Sequence, residues 1–519
     1  MSPISQIAFQ KEFVTHFPGD DSGNNKPRQT PGMLYSKALP TPVAQPQLLA
    51  WSAAMAEELG LDRPASADDI AVLSGNLVTP SMYPYAACYA GHQFGNWAGQ
   101  LGDGRAITLG EMMVGTNTWE LQLKGAGPTP YSRRADGRAV LRSSVREYLM
   151  SEAMHYLGVP TTRALSLVTT GDPVLRDMFY DGRAAMEPGA IVARVAPSFL
   201  RFGSYEMPAA RGELANLKSL VDWTITHFYP QTEGTGEERL LNWFGEVVRR
   251  TANLMVEWLR VGFVHGVMNT DNMSILGLTI DYGPYSFLDD YDPAFTPNTT
   301  DLPGRRYAFG RQPSVGYWNL GCLANALVPL LSDTKGLIAV LETYQTILLE
   351  SYRAMMGRKL GLREFRSSDT DLFSGLEKVL STLQPDMTLF YQLLIDLPLP
   401  PATEADWMAH LQGSFYRLPG AEEKATLLTW LRDYTVRLQE NGSRENAQAI
   451  MRAANPRFVL RNYLLHQAIE ELGLGKTDLF NQLQAAIADP YADSFDQFFT
   501  KRPDWASEKA GCSMLSCSS

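Results

Sequence analysis

The sequence predicts an α+β fold of two lobes: a small β-rich N-terminal lobe with one key helix, and a larger helical C-terminal lobe with a helical extension. Three observations support this prediction. Apolar and polar residues alternate along 119–124 (WELQLK), as expected for a half-buried strand. Apolar residues recur at helical spacing along 138–157, and again from about residue 214 onward. A polar loop, residues 265–272, follows the first long helix of the second lobe.

The chain has 519 residues, of which 45% are hydrophobic, so it is long enough for more than one lobe. We predict an N-terminal extension over 1–80 and an N-lobe with a glycine-rich loop and a Lys/Glu pair over 81–213. A helical C-lobe with a catalytic loop and a metal site covers 214–480, and a tail covers 481–519. Within the extension, residues 47–61 carry a short helical pattern.

The strand at 119–124 places Trp119, Leu121 and Leu123 on one face and polar residues on the other. Such alternation predicts one buried and one exposed face. The mainly apolar segment 190–196 predicts a second strand of the same lobe.

Charge and composition exclude several classes of protein. With 45 basic and 56 acidic residues, the formal charge is -11, which argues against a general binder of nucleic acids or membrane surfaces. No apolar run approaches the roughly 20 residues that span a bilayer. Residues 1–13 resemble neither a signal peptide nor a transit peptide, so we expect a cytoplasmic protein. A monomer is the default expectation, although no motif decides the oligomeric state.

Four cysteines are too few for a disulfide framework, and they lack zinc-type spacing. Two of them, Cys512 and Cys517, lie close together in the tail. Two interpretations stay open: exposed thiols on a frayed end, or a redox pair.

Residues 90–106 form a glycine-rich stretch. Glycine lets backbone amides approach phosphate oxygens closely, and Arg105 adds a guanidinium suited to phosphate. Turns and bulges of a β-lobe are the alternative explanation. The stretch does not match the P-loop pattern, so a P-loop NTPase is disfavoured. Its glycines are Gly91, Gly95, Gly99, Gly102 and Gly104.

A strand lysine and a helix glutamate form the second candidate feature. Lys124 ends the predicted strand, and Glu147 lies in the helix that follows. In kinase-like folds such a Lys holds ATP phosphates and pairs with such a Glu. A solvated Lys and a surface Glu are the alternative. Between them, Asp136 and Gly137 are placed to cap the helix and face a nucleotide.

Two arginines, Arg194 and Arg201, lie in and just after the segment 190–196. Arg194 interrupts an apolar strand, and a buried guanidinium needs an anionic partner. Either a structural carboxylate or a phosphate would serve.

The loop 265–272, HGVMNTDN, resembles a phosphoryl-transfer loop that has Val267 at the position of the catalytic aspartate. Asn272 and Asp281, separated by an apolar strand-like run, suit a magnesium ion shared with a nucleotide, and manganese would also fit. Asp271 is a candidate general base, although a loop aspartate often only hydrogen-bonds its own turn. The order of strand Lys, helix Glu, loop and Asp-x-Gly is that of a protein-kinase-like fold.

Four stretches together resemble the selenoprotein O (SelO) family, whose members are pseudokinase-fold protein adenylyltransferases. They are residues 89–106, 121–166, 265–272 and 280–293, and the similarity runs over about residues 80 to 330. The final Cys-Ser-Ser is similar to the Sec/Cys-Ser-Ser ending of the family.

The resemblance implies a fold, an activity and a set of site residues. ATP would bind in a flipped orientation relative to kinases, and AMP would pass to Ser, Thr or Tyr hydroxyls of proteins with release of pyrophosphate. The ATP phosphates would lie near Gly102, Gly104, Arg105 and Lys124. The remaining implied roles are nucleotide binding by Asp136 and Gly137, ordering of Lys124 by Glu147, γ-phosphate binding by Arg194 and Arg201, Mg²⁺ (or Mn²⁺) binding by Asn272 and Asp281, and proton acceptance by Asp271.

Two other functions stay open: a kinase-like ATP phosphotransferase with Asp271 as a displaced base, and a non-enzymatic nucleotide-binding pseudokinase scaffold. One departure from the family concerns redox control. Some bacterial relatives have a cysteine after the Asp-x-Gly that can pair with the tail cysteine, but residues 292–301 contain none. An intramolecular disulfide between tail and loop is therefore not expected.

Overall fold

A computed structural model describes residues 1–178, 182–399, 402–440, 442–512 and 514–516. The strands are β1 (Gly19–Asp20), β2 (Tyr35–Lys37), β3 (Gln47–Trp51), β4 (Tyr85–Ala87), β5 (His92–Gln93), β6 (Asn96–Trp97), β7 (Ala106–Val114), β8 (Asn117–Lys124), β9 (Ala139–Val140), β10 (Arg163–Arg176), β11 (Ala185–Ala196), β12 (Phe263–Val264) and β13 (Ser286–Phe287).

The α-helices become longer and more frequent after the β-rich region. They are α1 (Glu12–His16), α2 (Ala53–Leu59), α3 (Ala67–Leu73), α4 (Leu141–Tyr156), α5 (Phe202–Arg211), α6 (Leu214–Phe228), α7 (Gly236–Val261), α8 (Gln312–Leu327), α9 (Lys335–Lys359), α10 (Asp369–Leu383), α11 (Met387–Ile395), α12 (Glu404–Leu411), α13 (Ala421–Gln439), α14 (Arg444–Ala454), α15 (Asn462–Gly473), α16 (Asp478–Ile487) and α17 (Asp504–Glu508). None of these helices is long and apolar enough to cross a bilayer.

One sheet organises the N-terminal lobe. Its strand order is β1-β2-β4-β7-β8-β11-β10-β3, with β9 added beside β11. Only the β1–β2 pair is parallel among the described strand pairs. Helix α4 packs on β10 and β11, and the C-terminal lobe is built around α7, α8 and α9. The predicted α+β arrangement, with a β-sheet region followed by a larger helical region, is confirmed.

The helical prediction for residues 47–61 is wrong in its first third. Residues Gln47–Trp51 form β3, and α2 begins only after Ser52, whose hydroxyl accepts a hydrogen bond from Met55 N. The long strand β10 offers an unpaired edge, and pairing with it satisfies the backbone of β3. Residues before 80 thus contribute strands to the main sheet, whereas the domain boundaries at 80, 213 and 480 stay predictions.

The prediction that β8 is half-buried is also wrong. Glu120, Gln122 and Lys124 are 6%, 0% and 8% exposed, so the polar face is covered as well. The Ser198 hydroxyl donates to Glu120, and Lys124 contacts Glu147 of α4. The alternation along β8 therefore reflects two buried faces: one packs against apolar side chains, and the other contacts polar and charged ones.

Helix α7 leads into the loop that carries the candidate chemistry. Gly262, at φ +76°, ends the helix in the left-handed conformation that glycine adopts readily. The short pair β12–β13 then closes the two ends of the segment 265–285. The strand-like run predicted between Asn272 and Asp281 is wrong, because this part forms turns with only isolated bridges at Ser274 and Thr279.

The tail packs against the segment that follows the Asp-x-Gly. Leu515 N donates to Pro297 O over 2.9 Å, and Thr299 N donates to Leu515 O over 2.8 Å. Cys512 is 4% exposed, so an exposed thiol on a frayed end is wrong for this residue, and burial raises the pKa of its thiol to about 11. Cys517 and the Cys-Ser-Ser ending lie outside the described residues.

Candidate active site

Five charged side chains from both lobes meet where the sheet faces the loop 265–285. We name this group the Asp281 cluster; it consists of Lys124, Glu147, Arg194, Arg201 and Asp281. Lys124 Nζ lies 2.9 Å from Glu147 Oε2 and 3.4 Å from Asp281 Oδ1. The strand lysine, the helix glutamate and the aspartate of the Asp-x-Gly are therefore in direct contact. The alternative of a solvated Lys and a surface Glu is wrong.

Both predicted arginines are 1–2% exposed and have carboxylate partners. Arg194 NH1 donates to Glu147 Oε1 over 2.8 Å and to Asp281 Oδ1 over 2.6 Å. Arg201 NH1 donates to Asp281 Oδ2 over 2.6 Å. Structural carboxylates thus provide the anions in this structure. A role of the two arginines in binding phosphate stays a prediction.

Asp281 is the one carboxylate that all three cations share. Burial raises its pKa, but the charges of Arg201, Lys124 and Arg194 outweigh burial and hold the pKa well below its usual range. Asp281 also has φ +61°, a left-handed conformation that costs a non-glycine residue about 1–3 kcal/mol. The surrounding contacts therefore hold an ionised carboxylate in one unfavourable backbone position.

Asp271 lies on a 3-10 turn, Thr270–Asn272, at the edge of this cluster. Gln93 Nε2 donates to its Oδ2 over 3.1 Å, whereas its Oδ1 is buried and has no hydrogen-bond partner. Burial raises its pKa to about 6. Arg201 NH1 also donates to the backbone oxygen of Asp271 over 2.7 Å, which ties the turn to the cluster. Asp271 thus offers an unsatisfied acceptor beside Arg201.

The loop holds its shape through side chain to backbone hydrogen bonds. His265 Nε2 contacts Ile280 O at 2.9 Å, and Asn272 Nδ2 donates to Val267 O over 2.9 Å. Val267 is 8% exposed, so the position of the missing catalytic aspartate is an apolar part of the loop. Because the side-chain nitrogen of Asn272 hydrogen-bonds the backbone, the side-chain oxygen remains available as an acceptor.

Asn272 and Asp281 fit a small hard cation in their donor chemistry. One amide oxygen and one ionised carboxylate are the ligand types that Mg²⁺ takes from a protein when substrate phosphates supply the rest. Oδ1 of Asp281 already accepts from Arg194 and Lys124, whereas Oδ2 accepts only from Arg201 and keeps a second lone pair. The buried Oδ1 of Asp271 adds a further unpaired oxygen at the same loop.

The glycine-rich stretch has two parts with different surroundings. Gly91 lies against the loop, and a Cβ there would come within 2.9 Å of Asp271 Oδ1. A Cβ on Gly102 would meet the Tyr131 ring at 2.5 Å, and one on Gly104 would meet Tyr131 O at 2.9 Å. Close packing thus explains these three glycines, and phosphate contact by Gly102 and Gly104 stays a prediction.

Arg105 comes directly after Gly104 in the glycine-rich stretch. Its side chain makes no hydrogen bond or ion pair to another described residue, and its charge helps to lower the pKa of Lys124 after burial and Arg194. A free guanidinium therefore lies on the side of the Asp281 cluster.

The predicted capping role of Asp136 is wrong. Helix α4 has Val140 at its N-cap with no side-chain cap, and Asp136 instead accepts two hydrogen bonds of 2.8 Å from Arg176. Gly137, at φ +71°, packs on the backbone of Gly127, where a Cβ would come within 2.2 Å. Among the described contacts, none joins Asp136 to the Asp281 cluster, so nucleotide binding by this pair stays a prediction.

Three further residues of the site are missed by the sequence analysis: Gln93, Asp103 and Gln122. Gln93 holds Asp271, and Asp103, 3% exposed, lies 3.7 Å from Arg201 NH2. Gln122 accepts a hydrogen bond from Arg194 and donates to Asp103. Gln93 and Asp103 both lie inside the glycine-rich stretch, and this was the one feature of the sequence that could have marked them as site residues.

Comparison with known proteins identifies relatives over the whole chain. The family described as Protein adenylyltransferase SelO matches residues 26–489. A Protein nucleotidyltransferase YdiU of Cytophaga hutchinsonii is 61% identical, with 100% of both chains covered. The proteins of the same name from Xanthomonas euvesicatoria and Aromatoleum aromaticum are 53% and 51% identical, with 99% of this chain and 100% of each relative covered.

Proposed function

Because the chain belongs to the SelO family of nucleotidyltransferases, we propose that it transfers AMP from ATP to Ser, Thr or Tyr hydroxyls of proteins and releases pyrophosphate. The observation that carries this proposal is the Asp281 cluster. Three buried cations converge there on one carboxylate, beside an aspartate with an unpaired oxygen. Such a site suits a polyanionic substrate and a proton acceptor.

In this proposal the nucleotide phosphates lie between Arg105 and the Asp281 cluster. Lys124, held by Glu147, binds phosphate oxygens, and Gly102 and Gly104 let the backbone approach them, with Asp136 and Gly137 at the rim. ATP binds in the flipped orientation, so Arg194 and Arg201 stabilise the β,γ-pyrophosphate that leaves. Arginine forks match phosphate geometry, and the charge on the leaving group is where such donors act most strongly.

Asn272 and Asp281 would hold the Mg²⁺ ion, or Mn²⁺ in its place. When bound, the ion neutralises phosphate charge and makes the phosphorus a better electrophile. The three cations around Asp281 keep its carboxylate ionised, which is the form that can bind a cation. Lys124 and the two arginines would then share Asp281 with the ion and with the phosphates.

Asp271 acts as the general base. Its carboxylate accepts the proton of the attacking hydroxyl while that hydroxyl's oxygen forms a bond to the α-phosphorus and the bond from phosphorus to pyrophosphate breaks. A carboxyl with a pKa of about 6 is mostly ionised at neutral pH and still basic enough to accept a proton. Gln93 holds Oδ2, and Oδ1, which lies against Gly91, has no hydrogen-bond partner among the described residues.

A kinase-like transfer of the γ-phosphoryl group is the second candidate. It would use the same metal site and Asp271 as a displaced base. The buried, apolar Val267 at the usual position of the base disfavours it. A nucleotide-binding scaffold without activity is the third candidate, and the intact Lys–Glu contact and the ionised Asp281 disfavour that one.

Two labelled forms of ATP separate the three candidates. The protein is incubated with protein substrates, Mg²⁺ and ATP labelled on the α- or the γ-phosphorus, and label retained on protein is measured. We expect retention from the α-label only, and a loss of about 10²–10⁴-fold in the Asp271→Asn variant, the usual contribution of a general base. Retention from γ alone would establish phosphotransfer, and ATP binding without retention would establish the scaffold.

A cytoplasmic location and a monomeric state stay predictions.

A further inference from the structure

Three potential metal ligands from three separate elements meet beside the loop, outside the Asp281 cluster. They are His92 on β5, Glu206 on α5 and Cys322 on α8, and their ligand atoms all lie within 4.8 Å of one another. Ligands that share one Zn²⁺ at 2.0–2.3 Å stand about 3.5 Å apart in tetrahedral geometry. Small side-chain rotations would therefore bring the three ligand atoms onto one ion.

Glu206 makes this more than a chance grouping. It is 4% exposed, and its Oε1 lies 2.6 Å from His92 Nδ1. Its Oε2 is buried and has only the Thr270 hydroxyl near it, outside ordinary hydrogen-bond geometry; that hydroxyl lowers the carboxyl pKa, while burial has the larger, opposite effect. A buried carboxylate oxygen that is poorly satisfied in this way costs free energy, and a cation is one way to recover it.

Cys322 supplies a softer ligand than the oxygen donors of the candidate active site. Burial raises the pKa of its thiol to about 12, with Glu206 adding to the effect and Arg306 opposing it. The thiol is therefore protonated without a metal, and ion binding would displace the proton to solvent as the sulfur becomes the ligand. The half-exposed His92, between the rings of Trp97 and Trp318, gives an ion a path from the surface.

We infer that His92, Glu206 and Cys322 form a binding site for a zinc-class divalent ion, with the fourth position open to water. A set of one nitrogen, one oxygen and one sulfur ligand favours Zn²⁺ over Mg²⁺ or Ca²⁺.

The site is joined to the candidate active site through short contacts. His92 N donates to the Thr270 hydroxyl over 2.7 Å, and the next residue, Gln93, holds Asp271. A bound ion would fix the β5–β6 hairpin to α5 and α8 and thereby restrain Gln93. The inference itself stands on the three ligands and does not depend on the proposed function.

Cobalt is the probe that tests it. The full-length protein is freed of metal with a chelator and titrated with Co²⁺, and the thiolate-to-cobalt charge-transfer absorption is measured. We expect one equivalent of Co²⁺ to give this band, and Zn²⁺ to abolish it by competition. Co²⁺ bound at Asn272 and Asp281 has no sulfur ligand and gives no such band. The cobalt titration therefore tests only the site at Cys322, and its result is independent of whether the protein transfers AMP.

Variants assign the ligands. Cys322→Ser should lose the band, whereas Cys88→Ser, a change of another buried cysteine, should keep it. His92→Gln should weaken Co²⁺ binding at least tenfold, since changes even outside the ligand shell cost about 10–100-fold. X-ray absorption of the zinc-loaded wild-type protein needs no variant and should show one sulfur neighbour. Absence of the band, its survival in Cys322→Ser, or a zinc shell without sulfur would overturn the inference.

Discussion

Two buried arginine–carboxylate clusters of this protein have similar distances but differ in which charge lies at the centre. In the C-terminal lobe, Arg461 donates to Asp289 over 2.6 Å and to Asp386 over 2.8 Å, and we name these three residues the Arg461 cluster. There one buried cation joins two carboxylates, and the more exposed Arg502 approaches Asp289 at 3.5 Å. In the Asp281 cluster, three buried cations converge on one carboxylate, Asp281.

The two clusters also differ in how completely their polar atoms are satisfied. Asp386 accepts hydrogen bonds from Leu389 N and the Tyr416 hydroxyl in addition to Arg461, and so caps α11. In the described residues, no buried atom of the Arg461 cluster lacks a partner, whereas Arg194 Nε does. From this difference we predict that the complete cluster mainly stabilises the fold, and that the incomplete one receives the phosphates of the proposed reaction.

The largest expected effect is on activity, from Asp281→Asn. Asparagine keeps the shape and tolerates φ above zero, but it removes the charge that would hold the metal ion. We expect the rate of AMP transfer to fall by about 10³-fold or more, as for the loss of a major electrostatic contact. Initial rates with α-labelled ATP measure this change, and circular dichroism checks the fold. A rate within tenfold of wild type would show that Asp281 is not a metal ligand.

A smaller loss of activity is expected from Arg201→Lys. Lysine keeps the charge but lacks the planar fork that would bind the leaving pyrophosphate, so the rate should fall by about 10²–10³-fold. The matched control is Arg461→Lys in the other cluster, which should lower stability but leave the rate per folded molecule unchanged. Equal activity losses in both variants would contradict the distinction between the two clusters.

A stability loss without an activity loss is expected from Asp386→Asn. Removing one partner of a buried ion pair commonly costs about 3–5 kcal/mol, here moderated because Asp289 remains beside Arg461. Denaturant unfolding monitored by fluorescence measures the change, and the rate per folded molecule should match wild type. A stability equal to that of wild type would mean that the complete cluster contributes nothing to the fold.

The smallest effect at mildly acidic pH concerns Glu120, a buried carboxylate without a cationic partner in the described part of the chain. Burial, and the charge of Glu111 after it, raise the pKa of Glu120 from 4.5 to about 8. The folded state therefore keeps a proton that the unfolded state loses, and the contribution of Glu120 to stability falls as pH rises from about 4.5 to 8. Glu120→Gln should avoid this loss, with a stability gain over wild type that grows by up to about 1.4 kcal/mol per pH unit in that window.

Unfolding free energies of both proteins at several pH values between 4 and 8 measure this gain. The exposed Glu342 provides the control, because Glu342→Gln at the surface should change stability by no more than about 0.5 kcal/mol. A pH-independent difference for Glu120→Gln would show that Glu120 is ionised in the folded protein.

Much of the candidate site could be predicted from local sequence signals. The alternation at 119–124 identified β8, and the helical spacing after it identified α4, so Lys124 and Glu147 were expected to face each other. The spacing of Asn272 and Asp281 on either side of a predicted strand-like run indicated a metal site at the same place, although that run forms turns. These signals are short-range, and each depends on residues within about one strand or helix.

Contacts between distant segments could not be predicted in this way. Residues 47–51 carry a helical pattern, yet they form β3 because β10 offers hydrogen bonds that the local pattern does not record. Gln93 and Asp103 became site residues only because the glycine-rich stretch packs on the loop and on Arg201.

The order of α and β elements, the family and the positions of the charged residues could be read from the sequence. Which charges meet depended on the folded chain: Arg194 and Arg201 share Asp281, the polar face of β8 is buried, and His92 approaches Glu206 and Cys322. Periodicity and spacing encode only the local backbone. Burial and the pairing of charges depend on the packing of segments that are far apart in the chain.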